Sequence, residues 1–355
     1  MPALQGVISA LSALIITLNS LYGAQMGSTT PQVTGIFGPA ATSTVSVPAP
    51  EIPKPTVPKP ATSGGLAPLL PHAPSTDLAV ALGTLRGAIV NIVCISKDTK
   101  IRSMSGSGVI FDPKGLILTN SHIAQYYMLK EVLPEGAITC IIRAGSPAQA
   151  AYRAEAAYVS SEWIQDNPST LVATVARGTG EHDFAVLAIT GSASPIPLPG
   201  SFPHVPLTKA TPKLKDNVGI GSYGAQNLTS KQIQSSLLPT LVFAQVKSIY
   251  TFDSTSIDLL TLSGSAAGQH GSSGGGIVNA NGQLMGIITT ASDKGEFGNR
   301  EVRVVTAGHI RSSFKEDSGQ DFDSYFKNGS IDAFVSVFVD DANRMGKKLL
   351  STLQR

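Results

Sequence analysis

From about residue 76 to residue 312 the chain repeats one pattern. Short runs of β-branched and alternating residues recur every 8–15 positions, cut by Gly, Pro, Asn and Asp. Examples are Ala88–Ser96, Ser107–Phe111, Leu116–Thr119, Ile138–Arg143, Phe184–Ile189, Val218–Gly221, Leu241–Val246, Gly276–Val278 and Gln283–Thr290. Such side chains are stiff at χ1 and pack well on a pleated surface, so runs of this length read as strands. Asp112-Pro113-Lys114-Gly115 reads as a turn between two of them. Asn281-Gly282 tolerates positive φ at both central positions and is the strongest short hairpin signal in the chain. The expected fold is therefore all-β. About 235 residues of this pattern exceed one small barrel and suit two.

Composition excludes several functions. The 355 residues carry 26 basic and 24 acidic side chains, with no Lys/Arg run and no basic stripe interleaved with aromatics, so nucleic-acid binding has no electrostatic support. The two cysteines, Cys94 and Cys140, are too few for a disulfide scaffold and lack the paired spacing of a zinc site. One disulfide or two buried thiols both remain open. Neither a metal nor a cofactor is expected.

The two ends differ from the centre. No charged side chain precedes Glu51, and residues 7–18 read VISALSALIITL. That is the length of a signal-peptide core, or a marginal spanning helix when counted to about twenty residues. Residues 1–27 are accordingly read as a signal peptide or membrane anchor, with attachment through residues 1–24 and a slight lean toward an uncleaved anchor. A buried helix of the folded domain is the plain alternative. Residues 28–75 hold eleven of the 23 prolines, with Ser, Thr and Ala between them, and read as a linker too poor in apolar surface to order itself. From Ile331 the apolar positions Phe334, Val335, Phe338, Ala342, Met345, Leu349 and Leu353 fall at helical spacing, which predicts a helix over 331–353 packed on the domain.

Three segments carry chemistry. In GSGVIFDPKGLILTNSHIA (106–124), apolar strands lead to Thr119-Asn120-Ser121-His122. An imidazole held at a strand end can turn one ring nitrogen to a nucleophile and the other to a carboxylate. In His182-Asp183-Phe184-Ala185-Val186-Leu187, an acid opens an apolar strand, where burial is costly unless it accepts hydrogen bonds. In Gly271-Ser272-Ser273-Gly274-Gly275-Gly276, glycines let backbone amides close on a ligand, and the N–H groups of Gly271 and Ser273 are candidate donors to one developing oxyanion. Singly, each segment also fits a structural role: a framework histidine, a turn-capping aspartate, a loose Gly/Ser loop. Together they describe an activated serine.

Read in order, GSGVIF…ILTNSH, HDFAVL and GSSGGG…NGQLMGI resemble the trypsin-like serine peptidases, specifically the HtrA (Deg) type, over roughly residues 80–312. The resemblance implies two six-stranded antiparallel Greek-key barrels over 76–312, the first about 78–200 and the second about 201–312. A C-terminal extension follows over 313–355. It implies His122 as base, Asp183 as orienting acid and Ser273 as nucleophile, with Gly271 and Ser273 as the oxyanion hole. The chain order His, Asp, Ser is that of this fold. The resemblance places Ala267 at the base of the P1 pocket, which implies small to medium apolar P1 residues. It also implies that the strand Gly286–Thr290, including Ile288 and Thr289, pairs with substrate backbone. Cys94 and Cys140 would lie on neighbouring strands of the first barrel, where a disulfide is geometrically allowed.

The sequence also departs from that pattern. Ser272 stands where digestive relatives carry an acid that pairs with a freed N-terminus, so activation by that route is not expected. Gly276 replaces a usual proline, and His270 a second one. The 43 residues after 312 are too few for a PDZ domain, so control through one is not expected. Among the other histidines, His182 is expected to face solvent, and His72, His204 and His309 have no partner suggested by spacing. Trp163 lies in a polar insertion, Ser161–Gly180, read as a surface loop with one anchoring aromatic, with a loop over the active site as the alternative. The expected function is an extracytoplasmic serine endopeptidase acting on proteins or peptides. A catalytically silent module of the same fold is the alternative, an esterase a weaker one, and the oligomeric state is not indicated.

Overall fold

The computed structural model describes residues 76–167, 170–171, 180–226, 228–252, 256–263, 266–291 and 301–353. The apolar segment and proline-rich linker lie outside them. No helix among the described residues is long and apolar enough to cross a membrane.

The elements run α1 (Thr76–Ala88), β1 (Ile89–Ser96), β2 (Met104–Asp112), β3 (Leu116–Thr119), α2 (Ser121–Val132), β4 (Ile138–Ala144), β5 (Gln149–Val159), α3 (Ser161–Asp166) and β6 (Ala185–Ser192). They continue as β7 (Asn217–Ser222), α4 (Ser230–Ser236), β8 (Thr240–Tyr250), β9 (Leu259–Leu262), β10 (Gly276–Val278), β11 (Leu284–Ala291) and β12 (Val302–Thr306). Three helices close the chain: α5 (Ala307–Ser318), α6 (Phe322–Asn328) and α7 (Ile331–Leu353).

The strands form two closed six-stranded antiparallel barrels. The first closes in the order β1-β2-β3-β6-β5-β4, and the second repeats it as β7-β8-β9-β12-β11-β10. Closure leaves no free sheet edge in either barrel. Each has its own apolar interior, with Ile92, Ile117, Ile142 and Leu187 in the first and Val218, Ile220, Leu260 and Ile277 in the second. A third cluster joins the two, with Val109 and Leu118 from the first barrel against Val278, Leu284 and Ile287 from the second.

Helix α1 locks this junction from behind. Its Leu82 and Leu85 rest where Gly219, Gly221 and Gly276 have no side chain, and a Cβ on Gly276 would come within 2.7 Å of Leu284 and Val109. The departure from proline at 276 thus has a packing reason: the space is already filled.

The 331–353 helix forms as expected and buries Phe334, Phe338, Ala342, Met345 and Leu349. Gly346 lets it lie against α2, since a Cβ there would meet the carbonyl oxygen of Met128 at 2.4 Å. Lys114, in the turn between β2 and β3, reaches the C-terminal end of α6. Its Nζ donates to the carbonyls of Phe326 (2.6 Å), Lys327 (3.0 Å) and Gly329 (3.0 Å). A cation at a helix C-terminus satisfies carbonyls that have no intrahelical donor.

Several expectations need correction. Ala88 ends a helix rather than opening a strand, and β5, β9 and β12 are strands the pattern did not reveal. Trp163 is buried within α3, and much of the loop that it was expected to anchor lies outside the described residues. The helix is capped by Ser160, whose hydroxyl accepts from the Trp163 N–H. Cys94 and Cys140 face each other in register across β1 and β4 and are joined as a disulfide.

Candidate active site

The barrel ladder brings the first two residues together. Thr119, the last residue of β3, pairs with Ala185, the first of β6. Because the strands are antiparallel, residues just after 119 and just before 185 leave from the same end. His122 does not sit on the strand itself, as expected from sequence, but in the first turn of α2, with Asn120 at the N-cap.

Asp183 is buried, and its carboxylate is fully engaged. Oδ1 accepts from the His122 backbone N–H at 3.0 Å. Oδ2 lies 2.8 Å from His122 Nδ1 and accepts from the Thr289 hydroxyl at 2.9 Å. An ionised carboxylate accepts only, so His122 carries its proton on Nδ1 and presents Nε2 outward. The segment is held from its other side as well. Asn120 Nδ2 donates to the Asp183 carbonyl at 2.7 Å, and the Ser121 hydroxyl reaches the carbonyls of His182 (3.1 Å) and Phe184 (2.7 Å). Sequence reading passed over Asn120 and Ser121; their only signal was their place directly before the histidine.

The second barrel delivers Ser273. The loop before β10 extends the β10–β11 ladder, with Gly274 N–H on the Ile288 carbonyl (2.8 Å) and Ile288 N–H on the Gly275 carbonyl (2.7 Å). Ser273 Oγ lies 3.5 Å from the Thr289 carbonyl, and among the described residues it makes no hydrogen bond to His122. Thr289 therefore stands between Ser273 and Asp183. Its hydroxyl serves Asp183 while its carbonyl faces Ser273.

The glycine-rich loop has a set geometry. Gly271 adopts φ +91 and Gly274 φ +81. The His270 carbonyl accepts from Ala225 N–H at 2.8 Å, and the Ser272 carbonyl accepts from Gly275 N–H at 2.9 Å. In a trans peptide the N–H points opposite to the C=O. The amides of Gly271 and Ser273 are thereby turned away from those partners, and neither is bonded among the described residues. The intervening Ser272 amide is occupied by the Gln269 carbonyl at 3.1 Å. Ser272 is itself buried, with its hydroxyl 3.1 Å from that of Ser222.

The remaining candidates fall as follows. Ala267 is fully buried in the second barrel's core. Ile288 is buried beside it, and its N–H and C=O are spent on Gly275 and Gly274. His270 is exposed. His182 does not face solvent: Nδ1 meets the Ser313 hydroxyl at 3.0 Å and Nε2 meets Glu162 at 2.9 Å. His309, with no partner foreseen, lies 2.6 Å from the Glu181 carbonyl and 3.2 Å from Asp258.

The family model of the trypsin-like peptidase domain matches residues 106–287, just over half of the chain. The chain belongs to the trypsin-like peptidase family. The match spans all three segments around His122, Asp183 and Ser273. No curated protein matches the chain. Solved structures similar to this peptidase include the Rv3671c protease of M. tuberculosis in its active form. It is 16% identical, with 74% of this chain and 95% of that chain covered and a TM-score of 0.42. The inactive form of a serine-to-alanine mutant of Rv3671c is 17% identical, with 71% and 97% covered and a TM-score of 0.42. An inactive form of Rv3671c is 16% identical, with 70% and 100% covered and a TM-score of 0.41.

Proposed function

We propose that this trypsin-like peptidase is a serine endopeptidase of the HtrA type, working outside the cytoplasm through an acyl-enzyme. Ser273 Oγ attacks the scissile carbonyl and His122 Nε2 takes its proton. Asp183 holds the imidazole in the required tautomer and stabilises the imidazolium that forms. The Gly271 and Ser273 amides receive the oxyanion, a preorganised contribution of about 3–4 kcal/mol per donor in comparable sites. His122 then returns the proton to the leaving amine, and water repeats the sequence on the ester. The observation that carries this reading is the pair of open amides beside a His–Asp pair already bonded at 2.8 Å.

Ala267 offers no charge to a substrate side chain, which supports small to medium apolar P1 residues. The Cys94–Cys140 disulfide supports an oxidising compartment. Residues 1–27 would act as signal or anchor and residues 28–75 as a stalk. Protein quality control or surface-protein processing is the role that fits these properties.

A silent module of the same fold is the second reading, favoured by the absence of a Ser273–His122 hydrogen bond at rest. Fluorophosphonate labelling of the full chain beside Ser273→Ala separates the two. Labelling lost only in the variant supports the peptidase. Absence of labelling in both, persisting when unfolded protein is added, supports the silent module.

A further inference from the structure

We propose that Ser107, a strand residue of the first barrel, is a positioning residue that holds the oxyanion amide of Gly271 in place across the barrel junction. This rests on the peptidase reading above. Ser107 lies on β2 and is fully buried. Its hydroxyl accepts from the Tyr223 N–H at 2.8 Å and donates to the Gly271 carbonyl at 2.7 Å. A hydroxyl has one proton, and an amide can only donate, so both directions are fixed. The main chain of Ser107 joins in. Its N–H donates to the Ser273 carbonyl at 2.8 Å, and its carbonyl accepts from the Thr119 hydroxyl at 2.7 Å.

Gly271 is the residue that most needs such a hold. It sits at φ +91, and a Cβ there would meet the Tyr223 carbonyl at 2.7 Å, so only glycine fits. Glycine also leaves the adjoining peptides free to turn. A turned His270–Gly271 peptide would point a carbonyl where the oxyanion must go. Two ties prevent this. The His270 carbonyl is held by Ala225 N–H, which fixes the peptide before Gly271. The Gly271 carbonyl is held by Ser107 Oγ, which fixes the peptide after it. The segment Tyr223–Ala225 closes the circuit, because Tyr223 N–H ends on the same hydroxyl. With both flanking planes set, the direction of the Gly271 N–H is set as well. The hole of the second barrel is thus completed by a side chain of the first.

The test compares the full-length protein with Ser107→Ala and Ser107→Thr, the latter restoring a hydroxyl. The readouts are kcat and KM on a peptide with an apolar P1 residue, inhibition by a peptide aldehyde, whose adduct oxygen occupies the oxyanion site, and hydrogen exchange of residues 268–276. Loss of one buried partner predicts a fall in kcat of about tenfold for Ser107→Ala, with KM changed by less than about twofold. Aldehyde inhibition weakens by the same factor, the bonded amides of Ser272, Gly274 and Gly275 exchange faster, and Ser107→Thr reverses each change. Unchanged kcat, or a loss carried by KM with exchange unaltered, would overturn the proposal. Should the wild-type protein neither cleave nor label, the peptidase reading fails by itself. Exchange still decides the clamp: faster exchange reversed by threonine upholds it, and unchanged exchange removes it.

Discussion

The hydroxyl of Thr289 donates to Oδ2 of Asp183 over 2.9 Å, joining the second barrel to the acid of the first. The same oxygen lies 2.8 Å from His122 Nδ1, so Thr289 and His122 share one acceptor atom. Thr289→Val keeps the shape and removes the donor. A buried carboxylate that loses one hydrogen bond is less stable by about 1–3 kcal/mol. The expected result is a fall in kcat/KM of about tenfold. Steady-state kinetics on a peptide substrate check it, with thermal unfolding to confirm a folded variant. Unaltered kcat/KM would remove Thr289 from the support of Asp183.

Gly274 is predicted to tolerate no side chain. It sits at φ +81, and a Cβ would lie 2.0 Å from the Ser107 carbonyl and 2.6 Å from the Thr119 hydroxyl. Backbone must therefore shift at the barrel junction, in addition to about 1–3 kcal/mol of local strain. Gly274→Ala should abolish fluorophosphonate labelling, whereas Gly282→Ala, where nothing lies within 4 Å, should label as the wild type does despite its φ of +70. Normal labelling of Gly274→Ala would contradict the close approach.

The disulfide constrains a loop of 46 residues between β1 and β4. Closing a loop of that size stabilises by about 2–4 kcal/mol, chiefly by limiting the unfolded chain. The double variant Cys94→Ala/Cys140→Ala should show a denaturant midpoint lowered to match, and adding reductant to the wild type should reproduce it. Free-thiol counting under denaturing conditions gives an independent check, with no reactive thiol expected before reduction.

Alkaline pH should unfold the protein steeply. Burial pushes the phenols of Tyr126 and Tyr223 up to about 12, and pushes those of Tyr127 and Tyr158 higher still. In the unfolded chain these groups ionise near the ordinary value of 10.0. Above that pH the unfolded state binds fewer protons than the folded one, so stability is full below about pH 10 and falls as pH rises toward 12. Phenolate absorbance followed against pH should show these tyrosines ionising together with the loss of near-UV circular dichroism. Titration of all tyrosines near pH 10 with the fold intact would refute the burial.

Legibility followed the physics of each segment. Strands with β-branched runs, such as Leu116–Thr119 and Gly276–Val278, were visible because alternation and turn residues act locally. Strand Gln149–Val159 was not, since alanine has little strand preference and Arg153 and Glu155 interrupt the apolar run. Helix Ser121–Val132 was hidden for another reason. Ser121 and every residue from Ile123 to Leu129 are buried, so no polar face marks a helical period. His182 was misjudged because its partners Glu162 and Ser313 lie far off in sequence, and the partner of His309, Asp258, was hidden from spacing for the same reason.

The amino-acid sequence alone determined the all-β class, the 331–353 helix and the family resemblance. Each rests on periodicity, turn chemistry or a short contiguous motif. Tertiary structure alone decided how the motifs serve one another. The pairing of Thr119 with Ala185 sets the meeting of His122 and Asp183. Thr289 reaches Asp183 from the other barrel, and carbonyl ties leave the amides of Gly271 and Ser273 open. The links of Asp183 to His122 and to Thr289 depend on strand register and barrel closure, which join residues 61 and 106 positions apart. A local pattern holds no information about distances of that kind until the barrels close.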